Sequence, residues 1–156
     1  MSDITPAPAP FPGGTILGYP RIGQMRELKK ALESFWKGAS TAEDLEATAK
    51  QLRATNRERL ATLGLGRTDS SIPSNFSFYD HVLDASVVFG AVPSRFKHLE
   101  SEHGGYDLHG YSTIARGEGD KAPLEMTKWF DSNYHYMVPE IGPETTFEVA
   151  SLRWVD

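Results

Sequence analysis

The sequence predicts an α/β fold, and three observations carry that expectation. Strand-favouring segments stand near both ends of the chain, at Thr15–Pro20 and Tyr134–Val138. Between them, apolar residues recur at three- and four-residue spacing in successive segments, the signature of amphipathic helices. The 156 residues, 39% hydrophobic and 24% charged, suffice for one soluble domain with a single core and resemble neither a disordered nor a membrane-spanning chain.

Taken in order, residues 1–14 read as a mobile Pro/Ala-rich tail, since they lack the basic start and long apolar run of a signal peptide. Thr15-Ile-Leu-Gly-Tyr-Pro20 reads as a short buried strand, with Pro20 forcing Tyr19 into extended geometry. Arg21–Met25 is a loop. From Arg26 onward, Leu28, Ala31, Leu32, Phe35 and Trp36 share one helical face and Arg26, Lys29, Lys30 and Glu33 the other, with Gly38 as the stop. Ser40 and Glu43 have the spacing of a capping box. A second, long helix therefore starts there, striped by Leu45, Ala49, Leu52, Leu60 and Leu63 and ended by Gly64 and Gly66.

After a polar link at Ser70–Ser74, Phe76 and Phe78 suggest a short extended piece leading into an apolar helix within Val82–Phe89, which Pro93 ends. Lys97–Gly110 reads as a surface loop or linker. Glu125–Phe130 can form a helical turn, and Tyr134–Val138 reads as a strand from a buried sheet, closed by Pro139. Thr145–Trp154 fits either state.

Charge and composition narrow the function. Sixteen Lys and Arg against 21 Asp and Glu give a net charge of -5, which argues against a nucleic-acid binder, so any anion site must be local. The absence of cysteine excludes disulfides and thiolate zinc ligands and fits a cytoplasmic protein.

Four groups of residues carry possible chemistry. The stretch Glu125–Glu140 gathers Lys128, Trp129, Tyr134, His135 and Tyr136, a mixture of rings and polar atoms that suits a pocket wall as well as a satisfied structural network. Because strand side chains alternate, His135 points away from the face shared by Tyr134 and Tyr136. Arg26 and Lys29 stand at a helix N-terminus, where cations oppose the macrodipole and a bound anion would resolve the conflict. A solvated face in which Lys29 pairs with Glu33 explains the same pattern. The histidines, His98, His103 and His109 in one loop and His81 three residues before Asp84, match no metal-ligand motif, and no P-loop, G-x-S-x-G or G-x-G-x-x-G pattern occurs.

Gly18-Tyr-Pro-Arg-Ile-Gly23 with Arg26-Glu-Leu-Lys-Lys-Ala31, Tyr79-Asp-His-Val-Leu83, Glu125-Met-Thr-Lys-Trp-Phe130 and Asn133-Tyr-His-Tyr-Met-Val-Pro-Glu140 together resemble the cobalamin-independent methionine synthase family. The likeness runs in order from Thr15 to Glu140. It implies methionine biosynthesis by methyl transfer from 5-methyltetrahydropteroyl-polyglutamate to homocysteine, within a protein of two (β/α)8 barrels. Residues 15–156 would be the opening portion of the N-terminal barrel, incomplete in this chain.

The resemblance further implies that Arg26, Glu27, Leu28, Lys29 and Lys128 bind the folate polyglutamate, with Tyr134, His135 and Tyr136 as a possible pocket wall. A string of carboxylates is the anion that Arg26 and Lys29 call for. The family's zinc, homocysteine site and acid/base histidine belong to a C-terminal catalytic barrel absent here, so this chain is expected to hold no metal, to contain no catalytic residue and to be inactive alone. Neither nucleic acid nor membrane is expected as a partner. A stand-alone or degenerate folate-binding module without catalysis is the alternative reading. A carbohydrate-active barrel fragment, with Glu125 and Glu140 as its paired carboxylates, is a further one.

Overall fold

The computed structural model describes residues 14–66, 72, 76–102 and 104–149. Helix α1 (Glu27–Trp36) lies against the long helix α2 (Ala42–Thr62), and α3 (His81–Val88) against the strand β2 (His135–Met137). A 3-10 helix (Ser94–Leu99) packs on α4 (Leu108–Arg116), and the strand β1 (Met126–Lys128) pairs with β2. One core joins the helices and β2: Leu28 of α1, Leu45 of α2, Leu83 of α3, Phe96 of the 3-10 helix, Ile114 of α4 and Met137 of β2 are each at most 1% exposed. The chain therefore forms a mixed helix and strand domain.

The helical periodicity placed the first three helices correctly. Leu28 and Leu32 are buried as expected, while Ala31, Phe35 and Trp36 pack half-buried against the core. The cap of α2 falls one residue later than the sequence suggested. Thr41 Oγ1 accepts from Asp44 N at 3.2 Å and Asp44 Oδ2 accepts from Thr41 N at 3.0 Å, so the box is Thr41–Asp44 and not Ser40–Glu43. At α3, Asp80 caps, its Oδ1 accepting from Leu83 N at 2.8 Å.

Other expectations fail for identifiable reasons. Thr15–Pro20 is not a strand: Leu17 is 96% exposed, and the segment lacks the burial expected of a strand in the core. Glu125–Phe130 is not a helical turn but contains β1, because its backbone finds a partner across the hairpin. The predicted strand at Tyr134–Val138 shrinks to His135–Met137, with only Met137 buried. The expected loop at Lys97–Gly110 begins inside the 3-10 helix and ends inside α4, whose cap Asp107 accepts from Gly110 N at 2.7 Å. The link at Ser70–Ser74, His103 and the end of Thr145–Trp154 lie largely outside the described residues.

The sheet among the described residues is antiparallel, with Met126 opposite Met137, Thr127 opposite Tyr136 and Lys128 opposite His135. Residues directly opposite project to the same face. Lys128 and His135 therefore share a face with Met126 and the buried Met137, whereas Thr127 and Tyr136 occupy the other.

Candidate functional site

A small cleft of about 130 Å³ opens where the loop before α1 meets the segment before α3 and the hairpin; it is lined by Arg21, Tyr79, Asp80, Met126 and residues 134–137. Arg21 is the cation here. One of its guanidinium nitrogens, Nη2, donates to the Tyr79 carbonyl, which ties the entry loop to the chain just ahead of α3. Tyr79 also takes the edge of Trp36 at 5.2 Å between ring centroids, and the Arg116 guanidinium stacks 4.5 Å from that Trp36 ring. Burial pushes the Tyr79 phenol up, with the Asp80 charge adding to this and Arg116 opposing it, so Tyr79 is a neutral hydroxyl at the cleft.

Asp80 is 5% exposed and fully engaged on one oxygen, since Oδ1 accepts from Met137 N at 3.3 Å as well as from Leu83 N. Beneath it Tyr111 donates to Asp84 Oδ1 at 2.6 Å and accepts from Asp80 N at 3.2 Å. Burial raises the Asp84 carboxyl above its ordinary value, against the Tyr111 hydrogen bond and the nearby His81, which hold it down. Burial, followed by the Asp84 charge, likewise drives the Tyr111 hydroxyl well above the usual phenol range. This cluster is a structural anchor under the cleft.

The aromatic stretch divides between the two faces of the hairpin. Trp129 meets Tyr136 edge-on at 5.4 Å and Phe130 at 5.3 Å, so these rings pack on one another. His135, on the opposite face with Lys128, is exposed and places Nδ1 3.1 Å from the Asn133 carbonyl. Lys128 is exposed as well.

The cationic start of α1 has an unusual backbone. Arg26 is the N-cap residue, yet it sits in the left-handed region at φ 63 and its side chain makes no capping hydrogen bond. For a non-glycine residue that conformation costs about 1 kcal/mol or more and persists only where its surroundings fix it. Two hydrogen bonds do so here: Arg26 N donates to Gly23 O at 3.1 Å, and Leu28 N to Ile22 O at 3.0 Å. Gly23, at φ 87, is required by the same turn, because a Cβ there would collide with the Glu27 carboxylate and lie 2.9 Å from Leu52 Cδ2. Glu27 folds back over the loop, its Oε2 accepting from Met25 N at 2.9 Å.

Of the residues singled out from sequence, Arg26 is exposed and Lys29 half-buried. The Lys29 ammonium pairs with Glu33 and holds that carboxyl below its usual range. Leu28 is wholly inside the core, so only its backbone can serve a ligand. Sequence reasoning missed Arg21 and Asp80 as parts of the site; both lie within the quoted motif blocks, but their partners are distant in sequence.

Two other groupings of polar side chains lie apart from this cleft. Glu140 accepts a two-pronged hydrogen bond from Arg95 at 2.6 Å to each oxygen, and this holds its carboxyl below the ordinary range. A carboxylate so held is a poor general acid, which removes the basis for reading Glu125 and Glu140 as a glycosidase pair. Among the described residues no group of three His, Cys, Asp or Glu side chains converges as a metal site. Where His98 Nε2 meets Glu118 Oε2 at 3.1 Å, the Lys121 ammonium already stands 3.1 Å from the same ring nitrogen, so this pair does not suit a zinc ion.

Fold and site thus define a small helix and strand domain that presents cations and aromatic rings around an entry loop. Residues 13–156 match the family described as cobalamin-independent synthase, N-terminal domain, and the chain belongs to that family. It is 50% identical over 141 residues to a 5-methyltetrahydropteroyltriglutamate–homocysteine methyltransferase of Streptomyces coelicolor, covering 90% of this chain and 18% of that protein. A Rhodococcus jostii protein of the same name is 53% identical over 134 residues, covering 85% of this chain and 17% of its own length. One from Oryza sativa is 49% identical over 142 residues, with coverage of 90% and 18%. The chain therefore spans less than a fifth of the relatives it matches. None of the helices among the described residues is long and apolar enough to cross a membrane.

Proposed function

We propose that this chain supplies the polyglutamate-tail portion of a 5-methyltetrahydropteroyl-polyglutamate site, in a protein that transfers the methyl group to homocysteine and makes methionine in the cytoplasm. In this reading residues 15–156 are the opening of a (β/α)8 barrel. The zinc and homocysteine sites belong to residues outside these 156. Supporting it are membership of the synthase family and relatives, named as 5-methyltetrahydropteroyltriglutamate–homocysteine methyltransferases, that are about half identical to this chain over the region they share with it.

The observation that carries the site is the start of α1. A helix N-terminus without a side-chain cap, flanked by Arg26 and Lys29, is disposed to receive carboxylates. Glu27 and Leu28 shape that turn, one by closing over Gly23 and the other by anchoring in the core. Lys128 adds a cation from the hairpin, on the same face as His135, while Tyr134, His135 and Tyr136 form part of the cleft wall. Lys29 exchanges its partner Glu33 for a ligand carboxylate at little cost, because a solvent-screened pair on a helix surface is weak.

Calorimetric titration with 5-methyltetrahydropteroyl-triglutamate at low ionic strength tests the reading. Replacing Arg26, Lys29 or Lys128 by Ala should weaken binding about fivefold each, the size of one partly exposed charge contact, and added salt should reduce the difference. Affinity unchanged in all three variants would reject the tail site.

A further inference from the structure

The two halves of the proposed tail site meet at Tyr79 and Asp80, and we propose that Asp80 and Arg21 are positioning residues that hold them in one geometry. This rests on the tail-site reading and extends it to residues that touch no carboxylate of the ligand. Arg21 belongs to the entry loop leading into α1, and its guanidinium donates to the Tyr79 carbonyl. Asp80 follows directly, and its Oδ1 receives the Met137 amide from β2. The dipeptide Tyr79–Asp80, through the carbonyl of one and the carboxylate of the other, thereby ties down both the loop before Arg26 and the hairpin that carries Lys128.

Helix capping does not account for Asp80. The cap needs only the bond to Leu83 N, which an Asn, Ser or Thr side chain would also supply. The second bond reaches across 57 residues to β2. Its donor has no place in the hairpin ladder: Val138 N bonds Glu125 O across the pair, so the Met137 amide projects from the other edge of β2. Asp80 receives it there and orients the face on which Lys128 and His135 stand. The Asp80 backbone is held in turn, since its N donates to the Tyr111 hydroxyl, and the residue is almost fully buried.

Geometry of this kind predicts a pattern that simple destabilisation does not. Asp80→Ala should weaken triglutamate binding about fivefold, leave monoglutamate binding unchanged, and make a second substitution, Lys128→Ala, without further effect. Asp80→Asn keeps an acceptor for both amides and should restore binding. Hydrogen exchange supplies a readout independent of the ligand: the Met137 amide should exchange faster in Asp80→Ala and not in Asp80→Asn, while the amides of α2 keep their protection.

Should Asp80→Ala fail to fold, Arg21→Ala carries the test, with the same selective loss of triglutamate affinity and a smaller effect of Arg26→Ala in its background. The proposal is overturned if the variants retain wild-type triglutamate affinity. It is equally overturned if mono- and triglutamate binding weaken together with the Lys128→Ala effect intact. A wild-type chain that binds triglutamate no more tightly than monoglutamate rejects the tail site itself, a different result from loss of positioning alone.

Discussion

Replacing Tyr111 by Phe removes a single oxygen from the anchor beneath the cleft and leaves no cavity, so its cost is that of hydrogen bonds alone. Tyr111 is 1% exposed, and its hydroxyl serves both Asp84 Oδ1 at 2.6 Å and Asp80 N at 3.2 Å. Losing a hydrogen bond to a buried carboxylate and leaving an amide without its acceptor should destabilise the domain by about 2–3 kcal/mol at pH 7. The loss must also depend on pH. Burial already raises the folded-state value of Asp84 above the ordinary 3.8, and the Tyr111 hydroxyl opposes that rise.

A carboxyl raised in this way favours the folded state while protonated, and the advantage is lost as pH rises from the unfolded-state value through the folded one. Removing the hydroxyl lifts the folded-state value further. The variant should therefore lose more stability than the wild type between pH 4 and pH 7, and its deficit should be smallest at acid pH. Urea unfolding followed by circular dichroism at both pH values measures this. A deficit under about 0.5 kcal/mol, or one that does not change with pH, would refute the hydrogen-bond account.

Leu28→Ala should destabilise the domain by about 2–5 kcal/mol in urea unfolding, because the side chain is fully enclosed at the junction of α1 with the core. Glu140→Gln should cost about 1 kcal/mol at most at neutral pH, since the carboxylate it alters is partly exposed and its pair with Arg95 is screened. The contribution of that pair is present above the ordinary value of 4.5 and is lost as pH falls through the lowered folded-state value, so wild type and variant should converge in strong acid.

Helices were the legible part of the sequence, because a local period determines which face is buried. The stripe through Leu28 and Leu32 located α1, and Leu45, Ala49 and Leu60 located α2 within a residue or two of its ends. Strands were less legible. A three-residue strand leaves almost no period to read, and β1 exists because it pairs with β2 rather than through its own composition. Helix α4 was hidden by Gly110 and by polar neighbours, although Asp107 with Gly110 three residues later is a cap that could have been noticed.

The site divides along the same line. The exposed cations Arg26 and Lys128 were visible as residues, although a solvated face or a structural network explained their placement as readily as a ligand. Which ring stands on which face was also partly readable, since alternation separates His135 from Tyr136; the register then adds that His135 goes with Lys128. Arg21 and Asp80 gave no local signal. Their roles come from bonds to Tyr79 and Met137, each formed across more than fifty residues, and no periodicity or spacing encodes such contacts.

Affinity as a function of tail length addresses the central claim most directly. Titration of the chain with mono-, di- and triglutamate forms of 5-methyltetrahydropteroate at fixed low salt should show binding tightening with each added glutamate, by about fivefold per carboxylate engaged. Equal affinity for all three forms would contradict the account.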